Sequence, residues 1–177
     1  MSSLPSSEDK ERSTRYSIVF NGEIYNYQDI RLDLEKLGYA FSTTSDTEVL
    51  LLSYIAWGES MLDRLRGMFA FAIWDAETQE LFCARDFFGI KPFYYTQTDD
   101  GHFVFASEAK SILAHPSYTK ELNHRALEDY LVFQFPANEE TFFKGIYKLA
   151  PATFIRVKEG KVIQKKQYWK PQFEPVE

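Results

Sequence analysis

Residues 68–107 repeat one pattern twice: an apolar run, a short polar link and a second apolar run. MFAFAIWD and ELFCARD flank AETQ, and PFYYTQ and HFVFAS flank TDDG, whose Asp-Gly is a hairpin-turn dipeptide. Consecutive hairpins commit this stretch to antiparallel pairing, against an alternating strand–helix order with a parallel sheet. MFAFAIW and FVFA are apolar at successive as well as alternate positions, so their sheets must be covered on both faces. A third hairpin is expected near the end, where TFIRV and VIQKKQYW are joined by KEGK.

Helical patterns stand apart from these hairpins. RYSIVF alternates as a strand with Tyr16, Ile18 and Phe20 on one face, and Asn21-Gly22 reads as its end. Tyr27, Ile30, Leu34 and Leu37 then recur at helical spacing, with Asn26 as the expected cap and Gly38 as the stop. YAF reads as a short strand. Ser45 or Asp46 caps VLLLSYIAW, a run apolar nearly all round and therefore buried; Gly58 closes it, and ESMLDRLR adds a turn or two. Ser107 reads as the cap of SEAKSILAH and Asn123 as the cap of HRALEDYLVF. Strands and helices in separate blocks define an α+β class.

A chain of 177 residues with 45% hydrophobic content suits one domain with a real core. Residues 1–14, Ser-rich and charged, are expected to form a flexible lead-in. The net charge of −6 and the lack of a Lys/Arg block argue against a nucleic-acid partner. The single cysteine, Cys83, excludes an internal disulfide. No apolar run reaches the length of a membrane span and no signal-peptide core stands near residue 1, so a soluble, cytoplasmic protein without a membrane partner is expected.

Four stretches carry candidate chemistry. Asn21-Gly22 is ordinarily a turn; alternatively, the Asn side-chain amide and the Gly backbone N–H aim at one spot as oxyanion donors, with Glu23 beside them to hold an ammonium. Asp46 serves as a helix cap or turns outward to a substrate amine. ARDFFGIKPFYY packs Arg85, Asp86, Gly89, Lys91 and Pro92 into one connection, which reads as a rigid ion-paired scaffold rather than a catalytic loop. Cys83 sits mid-strand and reads as a small hydrophobe, and His102, His115 and His124 show no metal spacing.

Six motifs in order, YSIVFNGEIYNYQDIR, TTSDTEVLL, GMFAFAIWD, ARDFFGIKPFYY, FASEAKSIL and ELNHRALEDYL, resemble the glutaminase domain of glutamine-hydrolysing asparagine synthetases. These are class II, N-terminal-nucleophile amidotransferases, and the likeness runs from about Tyr16 to Trp169. The resemblance implies a four-layer αββα sandwich over residues 15–170, with 171–177 starting a linker to a synthetase domain. It implies hydrolysis of glutamine to glutamate and ammonia, with the ammonia passed to a synthetase domain that amidates aspartate. No cofactor is implied for the glutaminase domain itself, ATP and magnesium belonging to the synthetase domain. Residue by residue, it makes Asn21 and Gly22 the oxyanion hole, and Glu23 and Asp46 the holders of the glutamine α-amino group. Two carboxylates around one ammonium are each charge-assisted acceptors and together reject amides lacking the amine.

Two departures accompany the matches. The family attacks the amide with a cysteine that follows the initiator Met, whereas Ser2 follows Met1 here and no cysteine precedes Cys83. The family's leading strands, with an arginine for the glutamine carboxylate, are also not matched. The expectation is a sandwich incomplete at its N-terminus, inactive as a glutaminase by itself and prone to self-association through a bared sheet edge. The rival readings are a degenerate module that binds an amino acid or a partner without catalysis, and another class II amidotransferase branch.

Overall fold

The computed structural model describes residues 15–134 and 138–173, so the lead-in expected over 1–14 and most of the expected linker lie outside the described residues. The strands are β1 (Tyr16–Ile24), β2 (Gly67–Asp75), β3 (Glu80–Arg85), β4 (Tyr94–Gln97), β5 (Phe103–Ala106), β6 (Tyr147–Lys148), β7 (Thr153–Lys158) and β8 (Lys161–Gln167). The helices are α1 (Tyr27–Lys36), α2 (Asp46–Trp57), α3 (Ala109–Leu113) and α4 (His124–Phe133), and a 3₁₀ segment Gly58–Asp63 follows α2.

The three expected hairpins form as β2–β3, β4–β5 and β7–β8, all antiparallel. They distribute over two sheets, a five-stranded one in the order β1-β2-β3-β7-β8 and a three-stranded one in the order β5-β4-β6. Alternation along β2 explains the doubly apolar run. Phe69, Phe71 and Ile73 join Leu34, Leu50 and Met61 in a core beneath α1, α2 and the 3₁₀ segment. Ala70 and Ala72 turn the other way, to Phe93 and Tyr95 of the small sheet's core. Small residues on that face let the two sheets approach closely. The outer face of β4 carries Tyr94 and Thr96, and α3 packs against β4 and β5 with Ile112 fully buried. The layers therefore run helices, large sheet, small sheet, helix, in keeping with an α+β sandwich.

Local readings are corrected at four points. β1 does not end at Asn21-Gly22 but runs through to Ile24, in register with β2 down to Gly67. The reason is steric: a Cβ on Gly22 would lie 2.1 Å from the Met68 carbonyl oxygen, so glycine here permits close strand pairing. Residues 39–41 form no strand. Asn26 precedes α1 but makes no side-chain cap; its Oδ1 accepts from Arg66 N at 2.9 Å and its Nδ2 donates to Arg64 O at 2.9 Å, tying α1 to the start of β2. Ser107 does not cap α3, whose N-cap position is Glu108. Ser45 and Asn123 do cap α2 and α4, accepting from Thr47 N and Ala126 N.

Candidate active site

The four candidate residues meet at the C-terminal end of β1. Asn21 and Glu23 share a face of the strand by alternation, the face turned toward the small sheet, and Asn21 lines a cavity of about 260 Å³ between the sheets. Val19, Ala70 and Ala72 form one wall of this cleft, and Phe93, Phe105 and Ser107 the other. The Asn21 amide donates to Ser107 Oγ at 3.2 Å, which fixes its orientation across the cleft. Among the described residues its second N–H has no protein partner.

Hydrogen-bond parity decides where the Gly22 N–H points. Tyr25 N donates to Arg66 O, and Ala76 N donates to Arg15 O, so the odd-numbered residues of this strand direct their backbone groups toward β2. The even-numbered residues direct theirs outward. Ile24 shows it: its N–H leaves the sheet and donates to Asp46 Oδ2 at 3.1 Å. Gly22, two residues earlier, therefore presents its N–H on the side of β1 away from β2, beside the Asn21 side chain. These are two donors of the kind an oxyanion needs.

Asp46 is placed by α2. Ser45 caps the helix, which leaves Asp46 free for a second task at the first turn. Its bond to Ile24 N brings its carboxylate to the backbone next to Glu23, whose side chain is exposed. Among the described residues neither carboxylate forms a salt bridge with a Lys or Arg, so both are available to an ammonium.

The remaining candidates are structural. Asp86 is 1% exposed and accepts from four backbone N–H groups, those of Phe69, Phe88, Ile90 and Lys91. Arg85 donates to the carbonyls of Gly89, Lys91 and Leu149. Together they clamp residues 86–92, which set Pro92 and Phe93 into the cleft wall. Burial lowers the Arg85 guanidinium from its usual value. Cys83 is fully buried on β3, and burial pushes its thiol well up, so it is no nucleophile. Among the described residues no cluster of His, Cys, Asp and Glu could hold a metal ion, and no helix is long and apolar enough to cross a membrane. Sequence reasoning missed Ser107 as the partner of Asn21. It read the serine as a cap because nothing local marks a contact 86 residues away.

A glutamine amidotransferase domain family matches residues 6–169. The chain belongs to that family. It is 44% identical over 162 residues to asparagine synthetase [glutamine-hydrolyzing] 1 of Bacillus subtilis, covering 92% of this chain and 25% of the relative. It is 45% identical over 152 residues to a putative asparagine synthetase [glutamine-hydrolyzing] of Mycobacterium tuberculosis, covering 84% and 23%. The chain thus spans about a quarter of the length of these relatives. In fold it is similar to the glutamine phosphoribosylpyrophosphate amidotransferase of B. subtilis, with a TM-score of 0.62 at 20% identity over 88% of this chain and 30% of that one. That likeness, at low identity, establishes the shared sandwich.

Proposed function

We propose that this domain, residues 15–170, binds glutamine as the ammonia-releasing part of a cytoplasmic asparagine synthetase, with 171–177 leading toward an ATP- and magnesium-using synthetase domain. The observation that carries the reading is the convergence at β1. The Asn21 amide and the outward Gly22 N–H form one donor pair, and Glu23 and Asp46 form an unpaired acidic pair beside it. Glutamine fits this polarity. Its α-ammonium lies between the carboxylates, and its side-chain carbonyl oxygen faces the donors. As a nucleophile adds to the amide carbon, the carbonyl oxygen gains charge and the two hydrogen bonds strengthen. Collapse of the adduct, with a proton delivered to the amide nitrogen, expels ammonia and leaves the glutamyl group on the nucleophile, from which water releases glutamate; the ammonia attacks an activated aspartate in the synthetase domain.

None of the 177 residues supplies the thiolate, because the only cysteine is the buried Cys83. The chain by itself is therefore proposed to release no ammonia from glutamine; ammonia release at a rate well above the buffer blank would overturn this. Binding is tested separately by two-dimensional NMR at millimolar ligand. Glutamine is expected to shift the Gly22, Glu23 and Ile24 amides weakly. Glutaramate, the same molecule without the amine, is expected to shift none of them. Equal shifts with both ligands would remove the ammonium reading of Glu23 and Asp46.

A further inference from the structure

The ladder between β1 and β2 ends where Ile24 stands opposite Gly67, and one more backbone bond follows it, from Tyr25 N to Arg66 O at 2.7 Å. Asn26 carries the pairing a step further with its side chain. Its Oδ1 accepts from Arg66 N and its Nδ2 donates to Arg64 O, both at 2.9 Å. One side-chain amide thereby copies the acceptor and donor of a peptide unit. Both partners are backbone groups of fixed polarity, so only one orientation of the amide serves. Asn26 stands immediately before α1, where an Asn oxygen ordinarily accepts from the first helical turn and stabilises by about 1 kcal/mol, yet it makes no such cap. A tertiary contact overrides the local preference here, as happens most often where function constrains a residue.

The segment that Asn26 grips belongs with α2. Arg64 N donates to Met61 O of the 3₁₀ segment at 2.9 Å, and the Arg64 guanidinium lies 4.3 Å from the ring centroid of Trp57. Leu65, between the two arginines, is buried in the same core as Leu50 and Met61. Trp57 is the last residue of α2 and Asp46 the first. One body, α2 with its 3₁₀ extension, therefore meets the end of β1 twice. Asp46 accepts from Ile24 N at 3.1 Å on the side away from β2, and Arg64 and Arg66 hold Asn26 on the other. Gly67 lets the strands close up at this end, since a Cβ there would lie 2.2 Å from Glu23 O. We propose that Asn26 is a positioning residue for the paired carboxylates: by tying the end of β1 to the body that carries Asp46, it fixes the separation of Glu23 and Asp46. Two carboxylates serve one ammonium only when held to within about 0.5 Å of the productive spacing. Assigning a glutamine ammonium to the pair rests on the function proposed above; the tie itself does not.

Asn26→Ser in the full chain separates positioning from stability. A serine offers an oxygen to the first turn of α1, but it is too short to bond Arg64 O and Arg66 N together. Its Tm is expected within about 3 °C of the wild type. The Ile24 amide, bonded to Asp46, is expected to exchange its proton at least about tenfold faster in the variant, while Leu34 on α1 and Ile73 on β2 keep their rates. In two-dimensional NMR at fixed millimolar glutamine, the ligand-induced shifts of the Glu23 and Ile24 amides are expected to fall at least about threefold. A merely structural Asn26 would instead lower Tm and speed exchange at all three amides alike. Uniform acceleration, or Ile24 exchange within about twofold of the wild type, overturns the tie. Undiminished glutamine shifts in the variant overturn the positioning role. A wild type that shows no glutamine shifts sinks the function proposed above, and the exchange rates then decide the tie by themselves.

Discussion

Replacing Asp86 by Asn swaps one oxygen for an NH₂ in a carboxylate that holds four backbone N–H groups. Oδ1 accepts from Phe88 N at 3.1 Å and Ile90 N at 2.9 Å, and Oδ2 accepts from Phe69 N at 3.2 Å and Lys91 N at 3.0 Å. An amide keeps one acceptor oxygen. Whichever way it flips, its NH₂ faces two backbone N–H groups, donor against donor. Two bonds are lost and two N–H groups are left unsatisfied at a site 1% exposed. At about 1–3 kcal/mol for each orphaned buried donor, the cost is about 4 kcal/mol. For a domain of this size that is a fall in Tm of roughly 8–16 °C. Urea unfolding followed by tryptophan fluorescence measures it, with Asp33→Asn as the control. Asp33 pairs with Lys36 on an exposed helix face, and its loss should cost under about 0.5 kcal/mol. If Asp86→Asn unfolds within about 0.5 kcal/mol of the wild type, the clamp account of residues 86–92 is wrong.

Gly22→Ala should destabilise the domain by about 2 kcal/mol or more, because the new methyl meets the Met68 carbonyl at 2.1 Å and the backbone φ is +154°; thermal melting checks it. Asp75 is held below its ordinary value, first by the Arg15 guanidinium, which donates to both its oxygens. Because its folded pKa is depressed, this stabilisation is fully present above the usual aspartate value of 3.8 and is lost as pH falls through the lowered folded value. Asp75→Asn should therefore lose stability at neutral pH and show a flatter acid limb in urea titrations below about pH 4. Cys83 should resist iodoacetamide in the native state and react fully in denaturant, read by mass spectrometry; rapid native labelling would contradict its burial.

The hairpins were legible because a period of two and turn chemistry are both local. β2–β3 and β4–β5 turn where AETQ and TDDG stand. Ser45 and Asn123 were legible as caps for the same reason. Where a residue's partner is distant, local rules gave the wrong role. Asn26 and Ser107 look like caps in sequence, yet one ties α1 to β2 and the other orients Asn21. The strand β6 is two residues long and takes its identity from pairing with β4, so no periodicity announces it.

The sequence by itself determined the antiparallel α+β character, the doubly covered central strands and, through its ordered motifs, the amidotransferase family. Those features depend on residue type and spacing along a short length of chain. Tertiary structure alone decided that Asn21-Gly22 continues a strand, that Asp46 bonds beside Glu23, and that the Gly22 N–H faces away from β2. Each depends on which strand pairs with which and on the parity of that pairing, and hydrogen-bond direction exists only once two distant segments are in register.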